Sequence, residues 1–391
     1  MSTAARREKI RRLAELRGSF VLTYITGDRP NVSAMISEDV VRFFYEQLLQ
    51  LDALKEKPKK IDLFLYSRGG DTGVPWRLVP TLREFSDAFD CLIPFKAHSA
   101  ATMIALGADA IVMGRKGELG PIDPNITTPF NPLDPSDPAK QRKFPISVED
   151  VVAYISLLEE KMKLKAKTKE MTEAFGHLAR EVNPLALGAV NRQHSMIRLL
   201  GTKLLKQRKD KDTDAAIKQT VDHLTEKLFF HGHAINREEA AKDIGLHVEE
   251  ANGDVEMAMW DLFLAYENDM KLQEPFYPYS FFENNPRDSH TEPNLLVTAI
   301  ESSTMSLCQY ADAEITRRRN VPPNLQLNLN LQLPAVGTPQ LQQEQQMLYQ
   351  QILQQLTPLI HQQVQDAIKQ QAPVSGFELV FKNQRWTKKA A

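Results

Sequence analysis

Lys96-Ala97-His98-Ser99-Ala100-Ala101-Thr102 stands between an apolar run, Cys91–Phe95, and a run of helix formers, Ala100–Gly107. That order sets one serine at a strand-to-helix corner, among small residues that admit the backbone of another chain. One βα unit upstream, Ser67-Arg68-Gly69-Gly70-Asp71 closes a second apolar run, Ile61–Tyr66. Glycines at such a corner tolerate positive φ and let the main chain approach a ligand. A hydroxyl at a helix N-terminus beside a glycine-built anion cradle is what acyl transfer requires. Each corner also has a plainer reading: a tight βα turn for the glycine pair, and a helix-capping serine for Ser99.

Working outward, the chain alternates. Ser19–Thr26 reads as a strand, Glu38–Leu54 as a helix capped by Ser37, Ile61–Tyr66 as a strand and Gly73–Phe85 as a helix with Asp71 at its entry. Cys91–Phe95 then reads as a strand, Ala100–Gly107 as a helix and Ala110–Met113 as a strand. Short apolar strands separated by helices predict a mainly parallel sheet covered on both faces. From Gly114 to Ser147 seven prolines rule out regular elements and predict a long loop. Ser147 caps a helix, and helix-period sequence runs on to Leu228, an α-helical insertion over 147–228. Its basic stretch, Lys203–Lys211, reads as a solvated helix end.

Asn236 caps a further helix that stops near Gly245, and Val255–Met270 is helical. Pro275–Phe282 reads as an aromatic loop, and Leu295–Glu314 as one or two strands. The alternating Leu325–Leu333 reads as a strand. The glutamine-dense Gln340–Gln371 keeps one apolar face, which suggests a helical segment for self-association, divided in two at Thr357-Pro358. Gly376–Trp386 is strand-like. The domain organisation expected is an N-terminal helix over 1–17, a catalytic domain over 18–275, an extension over 276–324 and a Gln-rich helical tail over 325–391.

Composition narrows the class. The 391 residues are 42% hydrophobic and 25% charged, with a net charge of −2. That balance offers nothing to nucleic acid or an anionic membrane surface. No apolar run is long enough to span a bilayer, and no signal peptide is expected at the N-terminus. Two cysteines, Cys91 and Cys308, make no disulfide framework, which points to a cytoplasmic protein. No cofactor is expected, and no histidine or cysteine spacing suggests a metal site.

SRGGD followed by AHSAATMIALGADAIVMGRKGELGPIDP resembles the ClpP-fold serine peptidases, and among them the serine dehydrogenase proteinases, related to SppA and the stomatin-operon proteases. The resemblance runs from Phe20 to Val248 and takes in NPLALGAVNRQHSMIRLL and HGHAINREEAAKDIGLHV. It implies an α/β fold of the ClpP/crotonase type and a serine endopeptidase acting on peptide or protein substrates as a homo-oligomer. An ATPase or a membrane-protein partner is left open. By the same resemblance Ser99 is the nucleophile, the N–H groups of Gly70 and Ala100 form the oxyanion hole, and Gly69-Gly70 holds substrate as an added strand.

The general base is where the chain departs from ClpP. The ClpP histidine would fall within Leu119–Pro124, which holds none. The membrane-linked relatives use a lysine, which here would be Lys143 or Lys140. Phe144 and Pro145 could shield Lys143, which places it first. His231 and His233 read as structural, as does Asp123. Two rival readings keep the same fold: a crotonase-like thioester-binding enzyme, and a degenerate scaffold that only binds peptide strands.

Overall fold

Four short segments, FVLTYIT, KIDLFLY, AFDCLI and AIVM, carry almost unbroken apolar sequence. A strand of that kind must be covered on both faces. The computed structural model, which describes residues 3–53, 58–122, 125–134, 142–228, 232–283, 287–320 and 339–390, resolves them as the centre of one large sheet.

The chain opens with α1 (Thr3–Arg17), β1 (Phe20–Thr26), a small hairpin of β2 (Asp28–Arg29) and β3 (Val32–Ser33), and α2 (Val40–Ala53). Next come β4 (Lys60–Tyr66), α3 (Val74–Glu84), β5 (Ala88–Ile93), β6 (Lys96–Ala97), α4 (Ala100–Leu106) and β7 (Ala110–Met113). The proline-rich region holds only the two-residue strands β8 (Glu118–Leu119), β9 (Asn125–Ile126) and β10 (Ile146–Ser147) among its described residues. The insertion is helical: α5 (Val148–Ser156) running into a π-helical turn at Leu157–Lys161, then α6 (Lys169–Glu181), α7 (Pro184–Leu205) and α8 (Asp214–Asp222). It is followed by β11 (Ile235–Asn236), α9 (Arg237–Lys242), β12 (Val248–Glu250) and α10 (Gly253–Met270). The chain ends with β13 (Ser289–Glu301), β14 (Met305–Arg319), α11 (Pro339–Gln371) and β15 (Val374–Ala390).

The sheet order is β12-β7-β5-β4-β1-β13-β14-β15. The first five strands are parallel, in registers such as Phe20↔Ile61, Ile61↔Phe89 and Cys91↔Ile111, while β13 meets β1 antiparallel through Thr23↔Glu301. The sheet is therefore mixed. The parallel strands follow one another in chain order, so right-handed crossovers put the connecting helices on one face. Side chains divide accordingly. Leu22, Leu63, Cys91 and Ile111 pack with α2, α3, α4 and α7, whereas Val21, Phe64, Leu92 and Val112 pack with α1 and α10.

Two compact units divide the chain. One comprises Met1–Phe276, Leu295–Tyr310 and Gln384–Ala391; the other comprises Tyr277–Asn294 and Ala311–Asn383 and carries α11. Within the first unit, Arg6 of α1 is buried against Glu301 of β13 by a two-pronged ion pair, Nε to Oε2 at 2.7 Å and Nη2 to Oε1 at 2.9 Å. Asp269 of α10 also pairs with Arg6, and the Tyr266 hydroxyl donates to Glu301 Oε2 at 2.6 Å. Burial alone would push the Glu301 carboxyl up. The Arg6 hydrogen bonds and charge, with the Tyr266 hydroxyl, outweigh it and hold the group below its ordinary range.

Several boundaries differ from those read in the sequence. Helix α2 begins at Val40 because the Ser37 hydroxyl pairs with Asp39 instead of closing the first turn. Strand β5 starts at Ala88, where pairing with Lys60 extends it. Pro358 lies inside α11, which runs unbroken over 33 residues; a proline removes one backbone donor and kinks a helix without having to end it. Leu295–Glu314 is two strands. Ser147 and Asn236 cap their helices as expected, accepting from the N–H groups of Asp150 and of Glu238 and Glu239. The expected strand at Leu325–Leu333 lies outside the described residues. Among the described residues, no helix is long and apolar enough to cross a membrane.

Removing one partner of a buried ion pair leaves a bare charge, at a cost of about 3–5 kcal/mol. Glu301→Gln is therefore expected to lower the unfolding free energy by that order in urea titrations, and Arg6→Met/Glu301→Leu by much less. The Glu301 contribution is complete above the unfolded carboxyl value of about 4.3 and is lost as pH falls through the lowered folded value.

Candidate active site

The parallel strands end at one edge of the sheet, and both corners of interest lie there, after β4 and after β5. Open α/β sheets bind ligands at that edge. Ser99 is the residue before the first turn of α4. Its backbone is at φ 53°, ψ −116°, and its side chain does not cap the helix. A residue with a Cβ reaches that region only at a cost of roughly 1–3 kcal/mol. The capping reading of Ser99 is thus corrected: the hydroxyl is turned away from the helix amides. Ser99 is half-buried, and among the described residues its Oγ takes no hydrogen-bond partner.

The glycine corner stands directly against it. Gly69 has φ +104°, and a Cβ there would come within 2.8 Å of Ser99 Cβ, 2.8 Å of the His98 carbonyl oxygen and 3.2 Å of the Ala100 nitrogen. Gly70 forms a parallel bridge with Ile36, in which the Ile36 N–H donates to the Gly69 carbonyl and the Asp71 N–H to the Ile36 carbonyl, both at 2.9 Å. A Cβ on Gly70 would lie 2.3 Å from the Ile36 oxygen. Since the bridge uses the atoms on either side of Gly70, its own N–H faces the other way. Among the described residues the N–H groups of Gly70 and Ala100 have no acceptor.

Buried hydroxyls tie the two corners together. Ser67 Oγ accepts from Thr26 Oγ1 at 2.7 Å and from the Gly69 N–H at 3.0 Å. Its main chain bridges Ala97, with the Ser67 N–H donating to the Lys96 carbonyl and the His98 N–H to the Ser67 carbonyl. Thr102, one turn into α4, lies 2.7 Å from the Ala97 carbonyl and 2.9 Å from that of Gly120, and accepts the Gly120 N–H at 3.1 Å. Asp71 Oδ1 accepts the Gly73 N–H at 2.7 Å and so settles the entry to α3.

His98 and Lys96, on the strand side of Ser99, are already paired. His98 Nε2 lies 3.2 Å from Glu118 Oε1, which takes the ring away from Ser99. Burial would raise the Glu118 carboxyl, but the hydrogen bond and charge of His98, with Lys116 and Lys96, hold it below its usual range. Lys96 donates to Asp28 Oδ2 at 2.9 Å, and Tyr66 donates to Asp28 Oδ1 at 2.6 Å.

Lys143 is half-buried in an antiparallel bridge with Leu133, five residues ahead of α5. No hydrogen bond joins it to Ser99, and no ion pair holds it among the described residues. Phe144, read as its shield, is 51% exposed. Lys140, Asp123 and His231 lie outside the described residues. His233 Nε2 lies 2.7 Å from Glu239 Oε1 and serves the turn into α9. Among the described residues no group of three or more histidine, cysteine, aspartate or glutamate side chains could hold a metal ion.

Sequence reasoning missed Ile36, which seats Gly70, and Gln193 of α7, whose Nε2 donates to Thr72 Oγ1 at 3.1 Å. Gln193 lies within the quoted NPLALGAVNRQHSMIRLL stretch, but nothing in that stretch marks its partner, and Ile36 stands in no patterned stretch. Ser67 was legible as the first residue of the glycine segment, although its double acceptance was not.

Residues 1–161 match the family described as ClpP-like SDH-type serine proteinase. An uncharacterized protein of Methanocaldococcus jannaschii, MJ0137, is 25% identical over 288 residues, which is 72% of this chain and 86% of that protein. A second, MJ1495 of the same organism, is 28% identical over 121 residues, 30% of this chain and 41% of the relative. Among solved structures, a mutant of the 1510-N membrane-bound stomatin-specific protease, in complex with a substrate peptide, is 13% identical at a TM-score of 0.32, covering 56% of this chain and 71% of its own. ClpP1 from Listeria monocytogenes is 13% identical at a TM-score of 0.31, covering 60% and 94%. The family match over residues 1–161 takes in both corners, Ser67–Asp71 and Lys96–Thr102.

Proposed function

We propose that the protein is a serine endopeptidase in which Ser99 attacks the peptide carbonyl. The observation that carries this reading is the left-handed backbone of Ser99 at the start of α4, with a partnerless hydroxyl beside Gly69. Strain of this kind persists where the surroundings over-determine it, as at nucleophiles mounted on strand-to-helix turns. The carbonyl oxygen, as it gains charge, is received by the N–H groups of Gly70 and Ala100, helped by the positive end of α4. The extended edge at Gly69-Gly70 takes the substrate as an added strand.

Lys143 is the proposed base and Lys140 its alternative. A lysine takes the serine proton only when its amine is neutral, which requires the loop to be drawn over the site and the amine to lose water. The uncommitted ammonium of Lys143, with no carboxylate holding it among the described residues, supports this choice. The proposed setting is a cytoplasmic homo-oligomer. It is supported by two free, buried cysteines and by Leu348, Ile352, Leu356 and Leu359, exposed along α11.

A fluorophosphonate probe is expected to label Ser99, located by peptide mass mapping, and Ser99→Ala to abolish both labelling and peptide cleavage. Absence of labelling on the folded protein would overturn the peptidase and favour thioester binding at the same amides. Lys143→Ala is expected to slow labelling by about 10²–10⁴-fold, the usual yield of general-base assistance; an unchanged rate moves the role to Lys140. Gly70→Ala drives a Cβ into Ile36 and is expected to lower the cleavage rate by at least the roughly 10²–10³-fold of one lost oxyanion donor, as measured by steady-state kinetics.

A further inference from the structure

The two arms that lead to Lys143 are short of main-chain bonds. They pair at Ile126↔Ile146 and again at Leu133↔Lys143. Between those rungs one arm has six residues, 127–132, and the other only Phe144 and Pro145. Arms so unequal cannot continue a ladder, and Pro129, Pro132 and Pro145 bring no N–H to one. The longer arm takes up its excess in a β-turn, Thr128-Pro129-Phe130-Asn131, closed by the Asn131 N–H donating to the Thr128 carbonyl at 3.1 Å. Proline at the second position already has the φ that such a turn needs.

The Asn131 side chain then supplies the cross-links that the ladder lacks. Its Nδ2 donates to the Ile126 carbonyl of its own arm at 2.8 Å and to the Phe144 carbonyl of the facing arm at 2.9 Å. Its Oδ1 accepts the Thr128 N–H at 2.9 Å and the Thr128 hydroxyl at 2.6 Å. An asparagine side chain has two donors and two acceptor sites, and here all are used. The orientation of the amide is forced, since Nδ2 faces carbonyls and Oδ1 faces donors. Asn131 is 2% exposed, while Phe130, Leu133 and Phe144 around it are exposed. That is the reverse of what apolar burial alone would produce, so hydrogen bonding decides which residue is inside.

What these bonds hold is Lys143. The Phe144 carbonyl belongs to its neighbour. The Phe144 N–H donates to the Pro132 carbonyl at 2.8 Å, and the Asp134 N–H to the Arg142 carbonyl at 2.7 Å. Bonds so placed make Leu133 and Lys143 a pair whose side chains lie close on one face. Phe144 points to the other face, and Leu133 stands beside the lysine stem.

Resting on the peptidase reading with Lys143 as its base, we propose that Asn131 is a positioning residue that sets Lys143 for Ser99. Its amide ties the carbonyl next to Lys143 to the turn and to Ile126 of β9, so the lysine is carried by a braced pair of arms. A base must come within hydrogen-bond reach of the proton it takes, and misplacement by about 1 Å costs roughly 10²-fold.

The test reads the saturating rate at which a fluorophosphonate labels Ser99 in the full chain, and the probe concentration that gives half that rate. Asn131→Ala removes all four side-chain bonds. Thr128→Val is a milder second variant that removes one acceptor contact and leaves both carbonyls bound. Both substitutions are neutral, so the charge around the Lys143 ammonium is unchanged. Each is made in wild-type protein and in Lys143→Ala. Asn131→Ala is expected to lower the saturating rate about tenfold or more, though no further than Lys143→Ala does, and Thr128→Val to lower it less. The half-saturating concentration is expected to stay as in the wild type. Neither variant is expected to slow the residual labelling of Lys143→Ala, because a residue that acts through the lysine is silent once the lysine is gone.

Equal slowing with and without Lys143, or an unaltered rate in folded Asn131→Ala protein, overturns the positioning role. Should Asn131→Ala not fold, as judged by circular dichroism, Thr128→Val decides in the same way. Lys143→Ala labelling at the wild-type rate is a separate result: it takes the base away from Lys143, and this role with it.

Discussion

The contact between Gly69 and Ser99 is the constraint on which the site is built. Ser99 is held at φ 53°, a region that a residue with a Cβ leaves unless it is held on several sides. It is held by Ser67, which fastens the glycine corner to the strand before Ser99, and by Thr102, which fastens the first turn of α4 to the Gly120 loop. Gly69 completes the arrangement by having no side chain, since any would occupy the space of Ser99 Cβ. Among the described residues the amides of Gly70 and Ala100 remain free of acceptors. Main-chain dipoles fixed in this way need no reorientation to meet a charge.

The scaffold keeps its charges away from that edge. Arg17 binds Asp62 and Asp90 near the starts of β4 and β5, and Arg6 binds Glu301 on β13. The carboxylates of both clusters are buried and depend on their arginines, so they cement α1 to the sheet and offer nothing to a ligand. At the other ends of the same strands the amides of Gly70 and Ala100 have no acceptor among the described residues, and Asp28 and Glu118 are occupied by Lys96 and His98. One sheet thus has a sealed end and an open one.

The helical insertion bridges the sealed core and the open edge. Its α7 is buried in the core with α3 and α4 along its second half, and its first half lines a cavity with α5 and α6. Through the Gln193 side chain, which donates to Thr72 Oγ1, α7 also reaches the segment that follows the glycine corner.

Much of this was written in the linear chain because it follows from local physics. Unbroken apolar runs had to become strands buried on both faces, Ser147 and Asn236 had to cap the helices they precede, and paired glycines after a strand had to form a turn of positive φ. The serine before Ala100 could be found by position alone, although its rotation away from the capping geometry could not. That rotation is decided by Gly69, Ser67 and Thr102, residues brought together only when β4, β5 and α4 pack. The same holds for Ile36 under Gly70, for Gln193 on Thr72, and for the continuous helix through Pro358. Pairings between segments distant in the chain leave no periodic mark on the sequence, because the energy that selects them is shared across the packed sheet and its helices.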